Sequence, residues 1–381
     1  MKRALVLSFS DLKYDARVTR QIKWLSTNYE VTVVCFGERL DIENIQYEVI
    51  QQIPLTPIKK LLLAISLALR FYNLAYSIQH GYLSVLKRTH LPSFDLIIAN
   101  DIEALPLALK LKQSAKVFFD AHEYAPRHFE DKLWWKLLFG PWYRHLCEMY
   151  ILKANIMTTV CSGLANEYMK EFGVKPVVIT NATRYYSLET TKVEDTIKMV
   201  HHGIINKSRK IENMISLMGL LGDGYHLDLI LMLPEYASES TAIYFDNLKA
   251  EITKTSNIRI LPPLPNEEIV PAINKYDIGL FLLEPINFNY THALPNKLFD
   301  FIQGRLAIAI GPSPEMARIV KKYELGVISS NFSPESLAES IKNLSKRDIE
   351  VMKANSSKHA LMLSEEHNKE VFLSLLKKLF T

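Results

Sequence analysis

Short runs of aliphatic and β-branched residues alternate with helix-length amphipathic segments along this chain, and they do so in two separate series. The first series is Ala4 to Phe9, Val31 to Phe36, Asp95 to Asn100, Lys116 to His122, Ile156 to Cys161 and Pro176 to Thr180. The second is Ile197 to Gly203, Leu227 to Leu233, Ile258 to Leu264, Ile278 to Leu283, Leu306 to Ile310 and Gly326 to Ser329. Runs that are apolar throughout belong to strands covered on both faces, and the segments between them are long enough for crossover helices. A polar stretch from Asn181 to Asp195, without periodicity, separates the two series. The pattern predicts an α/β chain of two doubly wound domains, and 381 residues are ample for both. Ligands of such sheets bind outside the carboxyl ends of the strands, so the site is expected in a central cleft that both domains face.

Composition matters chiefly for what it excludes. With 48% hydrophobic and 23% charged residues the chain is neither disordered nor of low complexity. A net charge of +4 gives no reason to expect nucleic acid as a partner. Cys35, Cys147 and Cys161 are odd in number and lack C-x-x-C spacing, which points away from disulfides and zinc and toward a reducing compartment. Met1-Lys2-Arg3 is followed by an apolar run that ends at Ser10-Asp11, too short for a secretory signal and suited to a first buried strand. The most apolar segment, Leu61 to Leu69, is far shorter than a membrane span.

The strongest local signal is Thr291-His292-Ala293-Leu294-Pro295-Asn296-Lys297-Leu298-Phe299-Asp300-Phe301-Ile302-Gln303-Gly304, directly after an apolar strand. Pro295 suits a first helical turn and Gly304 a helix end. The amino end of this helix would present unsatisfied N–H groups, a natural seat for phosphate. Asn296 and Asp300 are four apart on one face, and Asp300 is able to accept from two adjacent sugar hydroxyls. A capped helix with solvated Asp and Lys side chains has the same spacing.

Here the sequence resembles the GT-B glycosyltransferases, and within them the retaining family 4 type that uses nucleotide-sugar donors. The run Pro295-Asn296-Lys297-Leu298-Phe299-Asp300 is similar to that family's donor-binding stretch, which usually has Glu where Asp300 stands. The resemblance implies ribose binding by Asp300. It places a second Glu eight positions earlier, where this chain has His292. Phe119-Asp120-Ala121-His122-Glu123 resembles the family's D-A-H-E, whose histidine lies beside the reaction centre; a histidine that caps the next turn is the structural alternative. Asn100-Asp101-Ile102-Glu103-Ala104-Leu105-Pro106 resembles H-D-x-x-A-x-P, with Asp101 read first as a helix cap and second as an acceptor contact. His202-Gly203-Ile204-Ile205-Asn206-Lys207-Ser208-Arg209 matches the start of the nucleotide domain, with Arg209 in a diphosphate-binding position and Ile204 where the family has Arg. Ser10 to Arg20 resembles the first βα loop without its glycine pair.

The resemblance thus implies catalytic roles for His122, Arg209 and Lys297. It implies donor binding by Gly203, Lys207, Arg209, His292, Pro295, Asn296, Lys297, Leu298 and Asp300, and acceptor binding by Asp15, Arg17, Asp101 and Glu123. No metal site is expected, because no two Asp residues are spaced two apart, and the absence of G-x-G-x-x-G disfavours a dinucleotide-dependent dehydrogenase. No cofactor is expected beyond a nucleotide-sugar co-substrate, UDP- or GDP-linked. Two Rossmann-like domains are implied: residues 1–183 for the acceptor and 197–355 for the nucleotide sugar, joined by a linker at 184–196. Residues 356–381 form a C-terminal helix that either crosses back to the first domain or completes the second.

Between Glu48 and Asp95 lie 46 residues without an acidic side chain, while Lys59, Lys60, Arg70, Lys87 and Arg88 are basic. Ile58, Leu61, Leu62, Ile65, Leu69 and Tyr72 share one helical face, as an interfacial helix on anionic lipid requires. Trp134-Trp135-Lys136-Leu137-Leu138-Phe139 followed by Trp142-Tyr143-Arg144 is a second candidate. An ordinary domain helix and core tryptophans would read the same way. The expected activity is transfer of a sugar to a glycan or lipid-linked acceptor of bacterial-type surface polysaccharide, in the cytoplasm at the inner membrane face. A nucleotide-sugar 2-epimerase and a non-catalytic sugar-nucleotide-binding subunit are the alternatives.

Overall fold

The computed structural model describes residues 1–51, 53–81, 91–234 and 237–381, and the chain divides into two compact units. Unit 1 comprises Met1–Thr180, Asn287–Asn289 and Val371–Thr381; unit 2 comprises Asn181–Ile286 and Tyr290–Glu370. Lys87 and Arg88 lie outside the described residues.

Unit 1 is built on β1 (Lys2–Asp11), β2 (Tyr29–Phe36), β3 (Ile45–Val49), β4 (Leu96–Asn100), β5 (Lys116–Ala121), β6 (Ile156–Thr159) and β7 (Val177–Val178). They form one parallel sheet in the order β3-β2-β1-β4-β5-β6-β7. The central strands are dry on both faces: Ala4 to Leu7 and Leu96 to Ala99 have no exposed surface. That is why they read as continuous apolar runs. β3, Ile-Gln-Tyr-Glu-Val, has no such run because it is the edge strand and only partly covered. One face of the sheet is closed by the helix Ala16–Ser26 and by the last helix, Glu365–Phe380. Phe372 stands 5.3 Å, ring to ring, from both Trp24 and Phe118, so the end of the chain completes the core of unit 1.

Unit 2 contains β8 (Ile197–Ile204), β9 (Tyr225–Met232), β10 (Ile258–Leu261), β11 (Ile278–Phe281), β12 (Ala307–Ile310) and β13 (Gly326–Ile328), parallel in the order β10-β9-β8-β11-β12-β13. The order reverses between β8 and β11, as it does between β1 and β4 in unit 1. Crossover helices leave to opposite sides at such a point and open a crevice at the carboxyl ends of those two strands.

The stretch 184–196, expected as a linker, is held against unit 2. Arg305, 1% exposed and with φ of +61°, donates from its guanidinium to the carbonyls of Tyr186 at 2.5 Å and Leu188 at 3.2 Å. Asn274 Nδ2 donates to the Glu189 carbonyl at 3.0 Å. Two details around the Pro295 helix differ from expectation. The helix is Asn296–Gln303, so Pro295 precedes it rather than opening its first turn. Gly304 keeps a right-handed φ of −73°, and its missing side chain is explained by space: a Cβ there would lie 2.8 Å from Leu306 Cδ1 and 2.9 Å from Ile273 Cγ1.

Candidate functional site

At the β8–β11 crevice of unit 2, β8 ends in His201-His202-Gly203-Ile204, with both histidines buried. The His201 Nδ1 lies 2.9 Å from the Leu280 carbonyl, a bond that only a ring N–H can donate. Its Nε2 is therefore a lone pair, and it faces Lys297 Nζ at 3.1 Å. Burial, then the charge of Lys297, keeps His201 well below its ordinary pKa and neutral. Lys297 is 5% exposed and its ammonium lies 4.2 Å from the centre of the Phe281 ring. Burial first and Arg209 second push it well below the ordinary lysine value, with Asp300 acting in the opposite sense.

Gly203 has φ of +137°, a conformation that side chains disfavour, and a Cβ on it would sit 3.3 Å from Lys297 Nζ and 3.6 Å from Arg209 Nη1. Bare backbone at this point lies beside both cations. Arg209 donates to the Ile204 carbonyl at 3.3 Å, so the bonds of both cations go to neutral groups. Such a pair is suited to a diphosphate, whose charge would match both. The helix Asn296–Gln303 begins without a side-chain cap, leaving first-turn N–H groups for an anion at the same end. Asp300, 8% exposed, has an oxygen 3.5 Å from His202 Nε2. Burial, Lys297 and Arg209 together hold His202 down at about 3, so it is neutral beside that carboxylate.

Gly203, Arg209, Lys297 and Asp300 are thus brought together; Leu298, 1% exposed, anchors their helix in the core. Lys207 and Asn296 are exposed, and Asn296 does not share the burial of Asp300. His292 Nδ1 stands 3.5 Å from Glu315, a buried carboxylate that Arg318 holds at 2.6 Å. Glu284 accepts from Lys210 at 2.5 Å and from Asn213 at 3.1 Å.

In unit 1 a second group forms where β4 and β5 end. His122 Nε2 lies 3.1 Å from Asn100 Oδ1 and 3.4 Å from Asp120, and its Nδ1 lies 3.4 Å from Asp101. Burial opposes charge on this ring, but Asp101, Asp120 and Asp15 outweigh it and push His122 up to about 9. Asp101 does not cap the following helix, which starts without a side-chain cap; with φ of +62° it accepts from the His122 backbone N–H at 2.9 Å. Asp120 has no exposed surface and accepts from Arg17 at 2.7 and 2.8 Å, from Thr158 at 2.6 Å and from Gln21. Although burial raises it, Arg17 and His122 hold that carboxyl far below the usual range.

Two residues read as acceptor-binding have structural duties here. Arg17 is 8% exposed and also donates to the Ile179 carbonyl at 2.7 Å, while Asp15 caps the helix Ala16–Ser26 through Val18 N–H at 3.1 Å. Glu123 accepts from His128 Nε2 at 2.7 Å.

The whole chain superposes on solved structures at low identity. Trehalose-6-phosphate from E. coli bound with UDP-2-fluoro glucose matches with a TM-score of 0.71 and 10% identity over 98% of this chain and 99% of that one. Sucrose-phosphate synthase from Thermosynechococcus elongatus matches with 0.70 and 13% over 100% and 99%. A UDP-forming trehalose-phosphate synthase from Burkholderia xenovorans matches with 0.70 and 10% over the full length of both chains. The fold is GT-B. No protein-family model and no curated protein matches the sequence.

Within this GT-B chain, several members of both groups escaped sequence reading. His201 lay unremarked inside the expected strand Ile197 to Gly203, and only its pairing with Lys297, 96 residues away, gives it a role. Glu315 follows Gly311-Pro312-Ser313-Pro314, and nothing local links it to His292. Asp120 and Asn100 sat beside His122 and Asp101 in sequence, where strand ends are the available signal.

Proposed function

We propose that this GT-B chain is a glycosyltransferase that takes a sugar from a nucleotide donor and passes it to a glycan or lipid-linked acceptor. One observation carries the reading: Gly203, Arg209 and Lys297 converge at the β8–β11 crevice beside the uncapped start of the helix Asn296–Gln303. In this reading the diphosphate lies against the Gly203 backbone, and Arg209 and Lys297 neutralise the charge that grows as the glycosidic bond breaks. Asp300 holds the ribose hydroxyls. Lys207, Asn296 and Pro295 border the donor, and His292, oriented by Glu315, faces the sugar. On unit 1, His122 with Asp101 and Glu123 engages acceptor hydroxyls. Transfer goes with retention, the donor phosphate oxygen taking the acceptor proton.

The solved relatives are named for making trehalose phosphate and sucrose phosphate, and one holds a UDP-sugar. UDP-sugars are accordingly the first donors to try. The acceptor we favour is a surface-polysaccharide intermediate at the inner face of the cytoplasmic membrane, for which the acid-free stretch before Asp95 is the reason. A non-catalytic sugar-nucleotide-binding subunit is the second reading, favoured by Ile204 and His292 at positions where the resembling family has Arg and Glu.

The test is a thermal-shift screen with UDP-, GDP-, ADP- and dTDP-sugars, followed by transfer assays with the donor that raises the melting temperature. Stabilisation by one donor, abolished in Arg209→Ala, together with release of its nucleoside diphosphate on adding acceptor supports the transferase. Stabilisation without turnover favours the subunit. No stabilisation by any nucleotide sugar removes both.

A further inference from the structure

The helix Pro57–Ala68 is apolar on its exposed face as well as on its buried one. Its buried residues are Leu63, Ser66 and Leu67, whereas Ile58 (72% exposed), Leu61 (62%) and Ile65 (45%) face solvent together with Leu62. Ser66 tolerates burial because its hydroxyl donates to the Leu62 carbonyl at 2.7 Å. The exposed apolar residues recur at helical spacing, so they form one stripe. The surface continues through Leu69, Phe71 and Leu74, all more than half exposed, into the helix Tyr72–Gln79. A soluble domain gains nothing by turning such a stripe outward, and exposed patches of this kind mark a surface that another phase or molecule covers.

We propose that this stripe is the face by which unit 1 lies on an anionic lipid surface. The proposal rests on the membrane-proximal acceptor proposed above and identifies the residues that would meet the bilayer. Charge selects lipid over a protein partner. Lys59, Lys60 and Arg70 flank the stripe, all exposed, and the sequence from 49 to 94 contains no Asp or Glu to repel phosphate headgroups. An apolar face whose own segment supplies basic and no acidic residues fits the boundary between acyl chains and anionic headgroups. No helix among the described residues is long and apolar enough to cross a membrane, so the contact is interfacial.

The helix Leu133–Tyr150 adds an anchor. Trp134 is 56% exposed, between Leu133 at 70% and Leu137 at 63%, with Lys132 and Lys136 beside them. Trp135 and Trp142, read from sequence as part of the same lipid-facing group, are instead buried at 4% and 0%. The aromatic belt is therefore reduced to Trp134, which suits headgroup depth. The helices Leu133–Tyr150 and Tyr72–Gln79 both bond Glu103, two residues after Asp101: Tyr143 Oη donates to Glu103 Oε1 at 2.6 Å and Tyr76 Oη to the Glu103 carbonyl at 2.8 Å.

The experiment is co-sedimentation of the full chain with vesicles of phosphatidylcholine and phosphatidylglycerol, against phosphatidylcholine alone, without donor or acceptor. Wild type should pellet with the anionic vesicles only, less so as salt rises. Ile58→Glu/Leu61→Glu/Ile65→Glu should weaken binding by at least about tenfold, and Lys59→Glu/Lys60→Glu should remove the anionic preference. Trp134 emission should shift to the blue on binding, the other tryptophans being buried already. Wild type that stays in the supernatant, or a triple variant that pellets like wild type, overturns the proposal. A wild-type dimer that the triple variant makes monomeric assigns the stripe to a second copy and overturns it as well. UDP binding, followed by calorimetry on the same samples, separates the two ideas: loss of vesicle binding with nucleotide binding intact sinks the lipid face alone, whereas vesicle binding without nucleotide binding sinks the donor reading alone.

Discussion

Lys297 points its ammonium at the lone pair of His201 Nε2, 3.1 Å away, inside a site that already holds Arg209. Burial, and then Arg209, loosen the hold of Lys297 on its proton relative to an ordinary lysine. A diphosphate beside it would raise its proton affinity, so over the pH range in which the free protein releases this proton, nucleotide binding should draw one from solvent. Calorimetry of UDP in buffers of different ionisation enthalpy at one pH should give enthalpies that vary with the buffer. A buffer-independent enthalpy with intact binding would sink this account.

The same burial predicts a trade between stability and binding. Because the folded pKa of Lys297 is below its unfolded value of 10.5, the unfolded chain holds more protons, and this residue costs stability at neutral pH that returns as pH rises toward 10.5. Lys297→Met should therefore melt no lower than wild type at neutral pH, since an apolar chain replaces a buried cation. Its affinity for UDP should drop by at least about tenfold, the loss of one charge-assisted contact. A large fall in melting temperature would mean that Lys297 is structural.

Gly203→Ala tests the other wall of the site. The φ of +137° alone sets a penalty of about 1–3 kcal/mol, and the new methyl would press on the Lys297 amine. Chemical denaturation should report that loss, and UDP affinity should fall with it. Wild-type affinity in the variant would move the diphosphate away from β8.

In unit 1 the titration of His122 sets a pH window. Its folded pKa of about 9 exceeds the ordinary histidine value of 6.5, so the stabilisation is fully present below pH 6.5 and is lost as pH rises through 9. With the ring largely buried, the contribution is about 3 kcal/mol. Wild type should lose that much stability between about pH 6 and about pH 9.5, and His122→Asn should not. NMR titration of the ring protons measures the same quantity directly; a midpoint near 6.5 would refute it.

How much of this could be read in advance depended on whether the cause was local. Strands dry on both faces announce themselves, as Ala4–Leu7 and Ala307–Ile310 did. β3 went unread because an edge strand such as Ile45–Val49 carries Gln46 and Glu48 among its apolar residues. His122 and Gly203 were singled out through motifs that resemble a family's, and the chain direction of β5 and β8 sets both at the carboxyl ends of strands. Pairings across long separations were not: Glu315 beside His292, and Lys297 beside His201, depend on which strands are neighbours. Trp134 and Trp135 are adjacent in sequence yet differ in exposure, since one helical step of 100° turns the second toward the core.

A buried ion pair far from either group decides how firmly the helix Lys346–His359 is held to unit 2. Lys353, 1% exposed, donates to Asp277 at 3.0 Å, to the Tyr276 carbonyl at 2.9 Å and to Thr191 at 2.8 Å, and Asp277 in turn accepts from the Lys198 backbone at 2.9 Å. Lys353→Met leaves the carboxylate buried without its cation, at a cost of about 3–5 kcal/mol. Adding Asp277→Asn removes the stranded charge while its side-chain oxygen still accepts from Lys198. The double variant should therefore be more stable than Lys353→Met alone, although neither restores wild type. Denaturant midpoints of the four proteins in the cycle measure the coupling. If the two substitutions simply add, the pair contributes no coupling and the Lys346–His359 helix is held by its apolar face alone.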